Sequence, residues 1–192
     1  MSGEKIIRHL SPELYAWLYK QVHDATYNVV AANPRAALLI MAASRCQGIH
    51  ESEERNKGQF VELFQKTIGD AHGEPWCMSF VQSMVAYVEK SSASLSALAA
   101  GEHCLTVFRK SESIQVNPPL PGDLIIWRHG DTENGHVGII TAVQPRFFVT
   151  LEGNTAPKDE IEREGDGVYL RNRPNKDWGG MKIMGFLRPF PT

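Results

Sequence analysis

The sequence lacks any apolar run long enough to cross a bilayer. Its most apolar stretch, AALLIMAA at residues 36–43, has eight residues, whereas a membrane-spanning helix needs about 20. The N-terminal MSGEKIIRHLSPELY contains no long apolar core of the kind found in secretory signal peptides. We therefore expect a protein that is synthesised in the cytoplasm without a signal peptide and that does not insert into membranes.

The sequence also lacks an excess of charge and a pattern of paired cysteines. The formal net charge is −2, the isoelectric point is about 6.4, and no basic run is present, which argues against a nucleic-acid-binding protein. The three cysteines, Cys46, Cys77 and Cys104, show no CxxC spacing, so neither a disulfide framework nor a zinc knuckle is expected. We predict at most one functional thiol, with Cys46 and Cys104 structural.

Helical patterns fill the first half of the chain and strand patterns fill the second half. Pro12 and Pro34 each follow a residue that caps helices, and apolar residues then recur at spacings of three and four. The Ser- and Ala-rich SSASLSALAAG is expected to end the helical part. After Pro118 come short β-rich runs: DLIIW, HVGIITAV, RFFVTLEG, GVYLR and IMGFLRPF. This order predicts an α+β fold with N-terminal helices packed on a C-terminal antiparallel sheet.

Cys77 lies in GEPWCMSFVQSMV, directly after a Pro-Trp pair and at the predicted start of a helix. The positive end of a helix dipole and a neighbouring histidine both lower the pKa of a thiol from its usual value near about 8.5. The alternative interpretation is a small core residue, which is the usual role of a cysteine on a helix. The position at the helix start favours a nucleophile.

His136 is the best candidate for the base that activates Cys77 among the seven histidines. It lies in NGHVGII, where a polar, Gly-containing loop enters a strand, so the strand can fix the backbone while the ring faces a groove. His129 lies in the loop itself, and His72 precedes the cysteine in a segment read as a loop. Both are weaker candidates.

Hairpin geometry indicates which residues accompany His136. If Gln144 and Arg146 face each other across the turn at Pro145, paired residue numbers sum to 144 + 146 = 290. His136 then faces Asn154, and Glu152 is a diagonal neighbour on the same face. An amide and a carboxylate are thus predicted where they can orient an imidazole, provided that the register holds.

Four motifs in this order resemble the CHAP domain, the cysteine- and histidine-dependent amidohydrolase/peptidase: PWCMSFV, PGDLIIW, GHVGII and LEGN. The family is similar to the NlpC-type cell-wall peptidases and has a papain-like arrangement. The resemblance extends over about residues 37–189, so we divide the chain into a helical N-terminal extension, residues 1–36, and a CHAP-like catalytic domain, residues 37–192.

The resemblance implies a peptidoglycan hydrolase, either an N-acetylmuramoyl-L-alanine amidase or an endopeptidase. When the family's roles are transferred to the matching positions, Cys77 is the nucleophile, His136 is the general base, and Glu152 and Asn154 are the pair that supports the histidine. No cofactor is implied. The segment ESEERNKG lacks the alternating Asp and Asn ligands of a calcium loop, so no metal is expected either.

Two other classes of function stay open: a cysteine hydrolase of a protein or small amide, and a non-catalytic wall-binding module on the same fold. The expected partner is peptidoglycan; a secretion or immunity partner is not identified by the sequence. Without a signal peptide, the protein is expected to reach the wall after lysis, holin release or injection, as a phage or prophage endolysin or an injected effector does.

Overall fold

The computed structural model describes residues 8–23, 29–69, 72–157 and 165–191. In these ranges the helices are α1 (Pro12–His23), α2 (Pro34–Arg45), α3 (Gln59–Lys66), α4 (Cys77–Ser92) and α5 (Cys104–Lys110), with a 3₁₀ turn at Glu112–Ile114. The strands are β1 (Gln115–Val116), β2 (Leu124–His129), β3 (Gly135–Val143), β4 (Phe147–Thr155), β5 (Gly167–Pro174) and β6 (Met181–Leu187).

The predicted helix starts are built by local capping. The Ser11 hydroxyl accepts a hydrogen bond from the backbone N–H of Leu14 at 3.1 Å. The Asn33 side chain accepts from the N–H groups of Arg35 and Ala36, both at 3.0 Å. A proline occupies the first position of both α1 and α2, where its missing N–H removes no helical hydrogen bond. The helical part continues further than expected, because α5 follows the Ser- and Ala-rich segment.

The six strands form one antiparallel sheet in the order β1-β6-β2-β3-β4-β5. The predicted α+β class, with helices first and an antiparallel sheet after them, is confirmed. Strands β2, β3 and β4 are neighbours at the centre of the sheet. The two strands that carry His136 and Glu152 are therefore paired directly.

The main core lies between the helices and one face of the sheet, and α4 is its centre. Every residue of α4 from Cys77 to Val88 is buried, and its apolar side chains pack with α1, α2, α3 and inward-facing residues of the central strands. A second apolar cluster covers the other face of the sheet: Ile125, Trp127, Ile140, Phe148 and Met181. Burial along α4 fixes the position of the helix start and hence of Cys77.

The predicted boundary between residues 36 and 37 does not correspond to a break in the structure. It falls inside α2, which is one continuous helix. Leu14 and Leu18 of α1 are fully buried in the same core cluster as α4. The described part of the predicted N-terminal extension therefore packs as an integral part of the domain; residues 1–7 and 24–28 lie outside the described ranges.

Close contact between α2 and the turn before β2 predicts a site where an added methyl group is costly. Gly122 has φ +98°, and a Cβ atom there would lie 2.4 Å from the Cβ of Ala36. We expect Gly122→Ala to lower the free energy of unfolding by about 2–4 kcal/mol, because overpacking adds to the strain of a positive φ. Urea denaturation followed by circular dichroism measures the loss.

Gly48→Ala is the matched control, because Gly48 also has a positive φ, +83°, but a Cβ there would meet no atom within 4 Å. It should cost only the backbone strain, about 1–2 kcal/mol. Equal losses in the two variants would show that the α2 contact does not constrain the turn before β2.

Candidate active site

Cys77 is the first residue of α4 and is 6% exposed. The preceding residue, Trp76, does not cap the helix with its side chain. The backbone N–H of Met78 instead forms a hydrogen bond to the Cys77 sulfur. The thiol therefore lies where the unpaired amides and the dipole of a 16-residue helix favour negative charge.

His136 is the second residue of β3 and is paired with Trp127 on β2. The two rings stack, with centroids 5.8 Å apart and planes inclined by 23°. His136 Nε2 lies 2.9 Å from Glu152 Oε2, and the Cys77 thiol lies near enough to the ring to raise its pKa. Because an ionised carboxylate only accepts hydrogen bonds, Nε2 carries a proton and Nδ1 is left for the thiol.

The register that places Glu152 beside His136 contains a compensating irregularity. The backbone N–H of Gln144 bonds to the carbonyl of Phe147 at 2.9 Å, so paired numbers sum to 291 at the turn rather than the predicted 290. The ladder shifts by one residue between Ile140 and Ala142, after which Ile139 pairs with Leu151 and the sum is 290. The predicted anchor was wrong by one residue, and the β-bulge restores the predicted face for Glu152.

Glu152 is fully buried and uses both carboxylate oxygens. Arg173 on β5 donates from Nε to Oε1 at 2.8 Å and from Nη2 to Oε2 at 2.5 Å. The Thr150 hydroxyl donates to Oε1 at 2.5 Å. With His136, these donors compensate the loss of hydration, which is the condition for keeping a buried carboxylate charged.

The charges of the three residues depend on one another. Burial alone would lower the pKa of His136, but its hydrogen bonds to Cys77 and Glu152 outweigh burial and raise that pKa to about 9. Burial likewise opposes ionisation of Glu152, yet the hydrogen bonds from Arg173 and His136 hold its pKa well below the usual range. At neutral pH the site therefore contains an imidazolium between a carboxylate and the Cys77 sulfur.

Cys104 also contacts Cys77, with the two sulfur atoms 3.7 Å apart. The hydrogen bond from Cys104 is the largest cause that lowers the pKa of Cys77 well below its usual value; burial opposes it and His136 adds to it. Cys104 is buried, as expected of a structural cysteine, but its place beside the candidate nucleophile was not expected. Cys46, by contrast, contacts Met84 between α2 and α4, and burial raises its pKa.

Asn154 lines the same cleft as Cys77 and His136, but its side-chain amide makes its hydrogen bonds away from the imidazole. Its side-chain amide donates to Glu51 at 3.2 Å, to Asn56 at 3.2 Å and to the carbonyl of Gly165 at 3.0 Å. Its φ of +52° takes it out of regular strand geometry, so the pairing arithmetic does not extend to it. Within the described residues, the structure thus brings together Cys77, His136 and Glu152, and commits the Asn154 amide to a different cluster.

The cluster around Asn154 holds the segment that leads into α4. Trp76 donates from its indole nitrogen to Glu51 at 2.7 Å. Asn56 donates to the carbonyl of Gly73 at 3.1 Å, and the neighbouring Gln65 donates to the carbonyl of Glu74 at 2.9 Å. The Glu51 carboxylate accepts from both Trp76 and Asn154. The cluster fixes where α4 begins.

Sequence reasoning missed Arg173, Thr150 and Cys104 as parts of the site. The alternation in GVYLRNRP places Arg171 and Arg173 on one face of β5, which is a signal for a buried or paired arginine. The segment between β4 and β5 is too long for hairpin geometry to fix the pairing. Arg173 could therefore not be assigned to Glu152 from sequence.

Cys77 and His136 line a cleft of about 430 Å³, and Glu152 lies buried behind the imidazole. His129, a weaker candidate for the base, also lines the cleft, together with polar and aromatic side chains from several loops: Glu74, Glu102, His103, Thr132, Asn134, Trp178. In the described ranges, no group of three or more His, Cys, Asp or Glu side chains is arranged to hold a metal ion. No helix in the same ranges is long and apolar enough to span a membrane.

Comparison with known families gives one match: residues 69–154 fit the family model of the CHAP domain. The matched segment is shorter than the span over which the sequence motifs resemble the family, but it includes Cys77, His136, Glu152 and Asn154. Comparisons with curated proteins and with solved structures gave no match.

The mutual dependence of the charges predicts the effect of neutralising Glu152. Glu152→Gln keeps the shape of the side chain but removes the carboxylate that stabilises the His136 imidazolium, so the pKa of His136 should fall and that of Cys77 should rise. We expect alkylation of Cys77 by iodoacetamide at pH 6.5 to slow by about tenfold or more. When the thiol pKa lies above the pH, each further unit of increase in the pKa lowers the thiolate fraction about tenfold. Mass spectrometry of alkylated peptides measures the rate.

Glu102→Gln makes the same chemical change on the cleft wall and should leave the alkylation rate within about twofold of wild type, because Glu102 is outside the contacts that set the His136 pKa. An unchanged rate in Glu152→Gln would mean that the carboxylate does not control the thiol.

Proposed function

We propose that this protein is a peptidoglycan hydrolase with Cys77 as its nucleophile, because residues 69–154 match the family model of the CHAP domain, a cysteine- and histidine-dependent amidohydrolase/peptidase domain. The observation that carries the proposal is the Cys77–His136–Glu152 arrangement, in which Cys77 and His136 line the cleft and the buried Glu152 holds the imidazole. A thiol at a helix start, a base that contacts it and a carboxylate that orients the base are the three parts of nucleophilic amide hydrolysis.

The first half of the reaction uses the charged pair directly. The Cys77 thiolate attacks the carbonyl carbon of the scissile amide, and the His136 imidazolium gives its proton to the departing amine nitrogen as the C–N bond breaks. The product is a thioester on Cys77 and a neutral His136. Glu152 keeps the ring oriented throughout, because the Nε2 hydrogen bond persists in both protonation states of Nδ1.

The second half returns the enzyme to its starting state. Neutral His136 takes a proton from a water molecule that attacks the thioester carbonyl, and the C–S bond breaks to release a carboxylic acid and the Cys77 thiolate. In this proposal, amides of the first turn of α4, which the Trp76 side chain leaves uncapped, donate to the oxygen that becomes negative in both halves.

The cleft supports an extended amide substrate over a small one. Its walls come from the segment before α4, the start of α5, the β2–β3 loop and the segment before β6. A ligand that contacts all four segments needs several groups on both sides of the scissile bond, as a cross-linked glycan-peptide has. The aromatic face of Trp178 at the wall suits an apolar sugar face.

The bond cleaved is either the amide between N-acetylmuramic acid and L-alanine or a bond within the stem peptides. The residues of the site serve both, since each substrate presents a carbonyl and an amine leaving group. The route to the wall, by lysis, holin release or injection, stays a prediction from the sequence.

Purified cell walls test the proposal. Wild-type protein should reduce the turbidity of a wall suspension, and Cys77→Ala should lower the rate by at least about 10³-fold, because loss of a nucleophile removes the covalent route. Cys46→Ala should keep the wild-type rate, since Cys46 lies between α2 and α4. Mass spectrometry of the released fragments identifies the new amino terminus and thereby separates amidase from endopeptidase.

A Cys77→Ala rate within about tenfold of wild type would contradict the assigned nucleophile. Wild-type binding to walls without release of fragments would favour the wall-binding module. Hydrolysis of a protein or small amide with intact walls would favour the other class of cysteine hydrolase.

A further inference from the structure

A second thiol lies beside the candidate nucleophile, and its sulfur forms no bond in the proposed hydrolysis. Cys104 is the first residue of α5, and its sulfur is 3.7 Å from that of Cys77. Both residues line the same cleft. Gly135 makes the approach possible, because a Cβ atom there would lie 3.1 Å from the Cβ of Cys104.

We propose that Cys77 and Cys104 form a modification site for peroxides, at which oxidation closes a Cys77–Cys104 disulfide and thiol reductants reopen it. The proposal rests on the contact between the two sulfur atoms and on their shared access to the cleft. It holds whatever amide the protein hydrolyses, since a disulfide would occupy the Cys77 sulfur in any case.

The oxidation balances in two steps. The Cys77 thiolate attacks one oxygen of hydrogen peroxide, the O–O bond breaks, and the departing hydroxide takes the proton of the His136 imidazolium to become water. Cys77 is then a sulfenic acid. The Cys104 sulfur attacks the Cys77 sulfur, the S–O bond breaks, and the departing hydroxide takes the Cys104 proton. Two thiols lose two electrons to one peroxide, and two water molecules form.

The electrostatics of the pair suit this order of events. The Cys77 thiolate carries the charge while Cys104 stays protonated, because the hydrogen bond to Cys77, burial and the charge of Cys77 raise the Cys104 pKa well above its usual value. The thiolate is the sulfur that reacts with peroxide. Once Cys77 is a neutral sulfenic acid, its charge no longer holds the proton on Cys104, and Cys104 can act as the resolving thiol.

The movement required is small. A disulfide places its sulfur atoms about 2.05 Å apart, so the present separation of 3.7 Å must close by about 1.6 Å. Rotation of both side chains about χ1 provides displacements of this size. Because each cysteine begins its helix, the adjoining loop rather than a helix interior absorbs any shift of the backbone.

Peptide mapping tests the proposal without any assay of hydrolysis. Tryptic cleavage after Lys66, Lys90 and Arg109 puts Cys77 and Cys104 on separate peptides, and cleavage after Arg45 and Arg55 isolates Cys46. The wild-type protein is treated with a small excess of hydrogen peroxide at pH 7, remaining thiols are blocked with iodoacetamide, and the digest is analysed with and without dithiothreitol. We expect one linked pair, the peptides of Cys77 and Cys104, which dithiothreitol separates.

Two variants sharpen the result. In Cys104→Ser, Cys77 has no resolving partner, so it should proceed to sulfinic and sulfonic acids that dithiothreitol does not reduce. In Cys46→Ser, the linked pair should form as in wild type. Oxidation should stop wall hydrolysis in all three proteins. Reduction should raise the hydrolysis rate of the oxidised wild type and Cys46→Ser by at least about tenfold, but should not restore hydrolysis in Cys104→Ser.

Failure of this proposal is distinguishable from failure of the proposed function. The proposed modification site would be overturned if peroxide converts Cys77 of the wild-type protein to sulfinic acid, as in Cys104→Ser, and no linked peptide forms. This holds even if walls are hydrolysed. A linked, reducible peptide in a protein that does not act on walls would support the site and contradict only the hydrolase. Because the decisive readout uses wild-type protein, a variant that fails to fold does not weaken the test.

Discussion

The candidate site depends on a charged carboxylate held inside the protein. The Glu152 side chain is completely buried, and transferring such a group from water is costly unless every oxygen is paired. The bidentate bond from Arg173 and the hydroxyl of Thr150 meet that cost. The carboxylate can then hold His136 as an imidazolium. The hydrogen bond from Cys104 and, after it, the imidazolium stabilise the Cys77 thiolate. Removal of either partner of a buried pair of this kind typically costs about 3–5 kcal/mol.

The fold brings these charges together from parts that are far apart in the chain. The burial of α4 fixes the thiol, the pairing of β3 with β4 fixes the imidazole and the carboxylate, and the pairing of β4 with β5 supplies the guanidinium. The hydrogen bonds that Glu51, Asn56 and Gln65 make to the segment before Cys77 keep the helix start beside the sheet. The components come from α4, β3, β4 and β5, so the site requires all of these elements.

Local patterns in the sequence predicted the α+β class, the helix start at Cys77 and the strand entry at His136, because capping residues and apolar periodicity act over a few residues. Glu152 was predicted to lie near His136 from a register whose anchor was one residue wrong, and a bulge near Thr141 corrected it. Asn154 was assigned to the imidazole by assuming regular strand alternation. Its left-handed backbone conformation interrupts that alternation, and the sequence pattern does not reveal it. Arg173 and Cys104 depend on long-range packing that no short motif encodes.

The central claim, that His136 is a stabilised imidazolium between Glu152 and Cys77, is tested most directly by NMR titration of histidine-labelled protein. The His136 signal is assigned by its loss in His136→Gln. Its midpoint should lie near pH 9 in wild type and fall towards the ordinary value of about 6.5 in Cys77→Ala, where the thiolate is absent. A wild-type midpoint near about 6.5 that Cys77→Ala leaves unchanged would contradict the account.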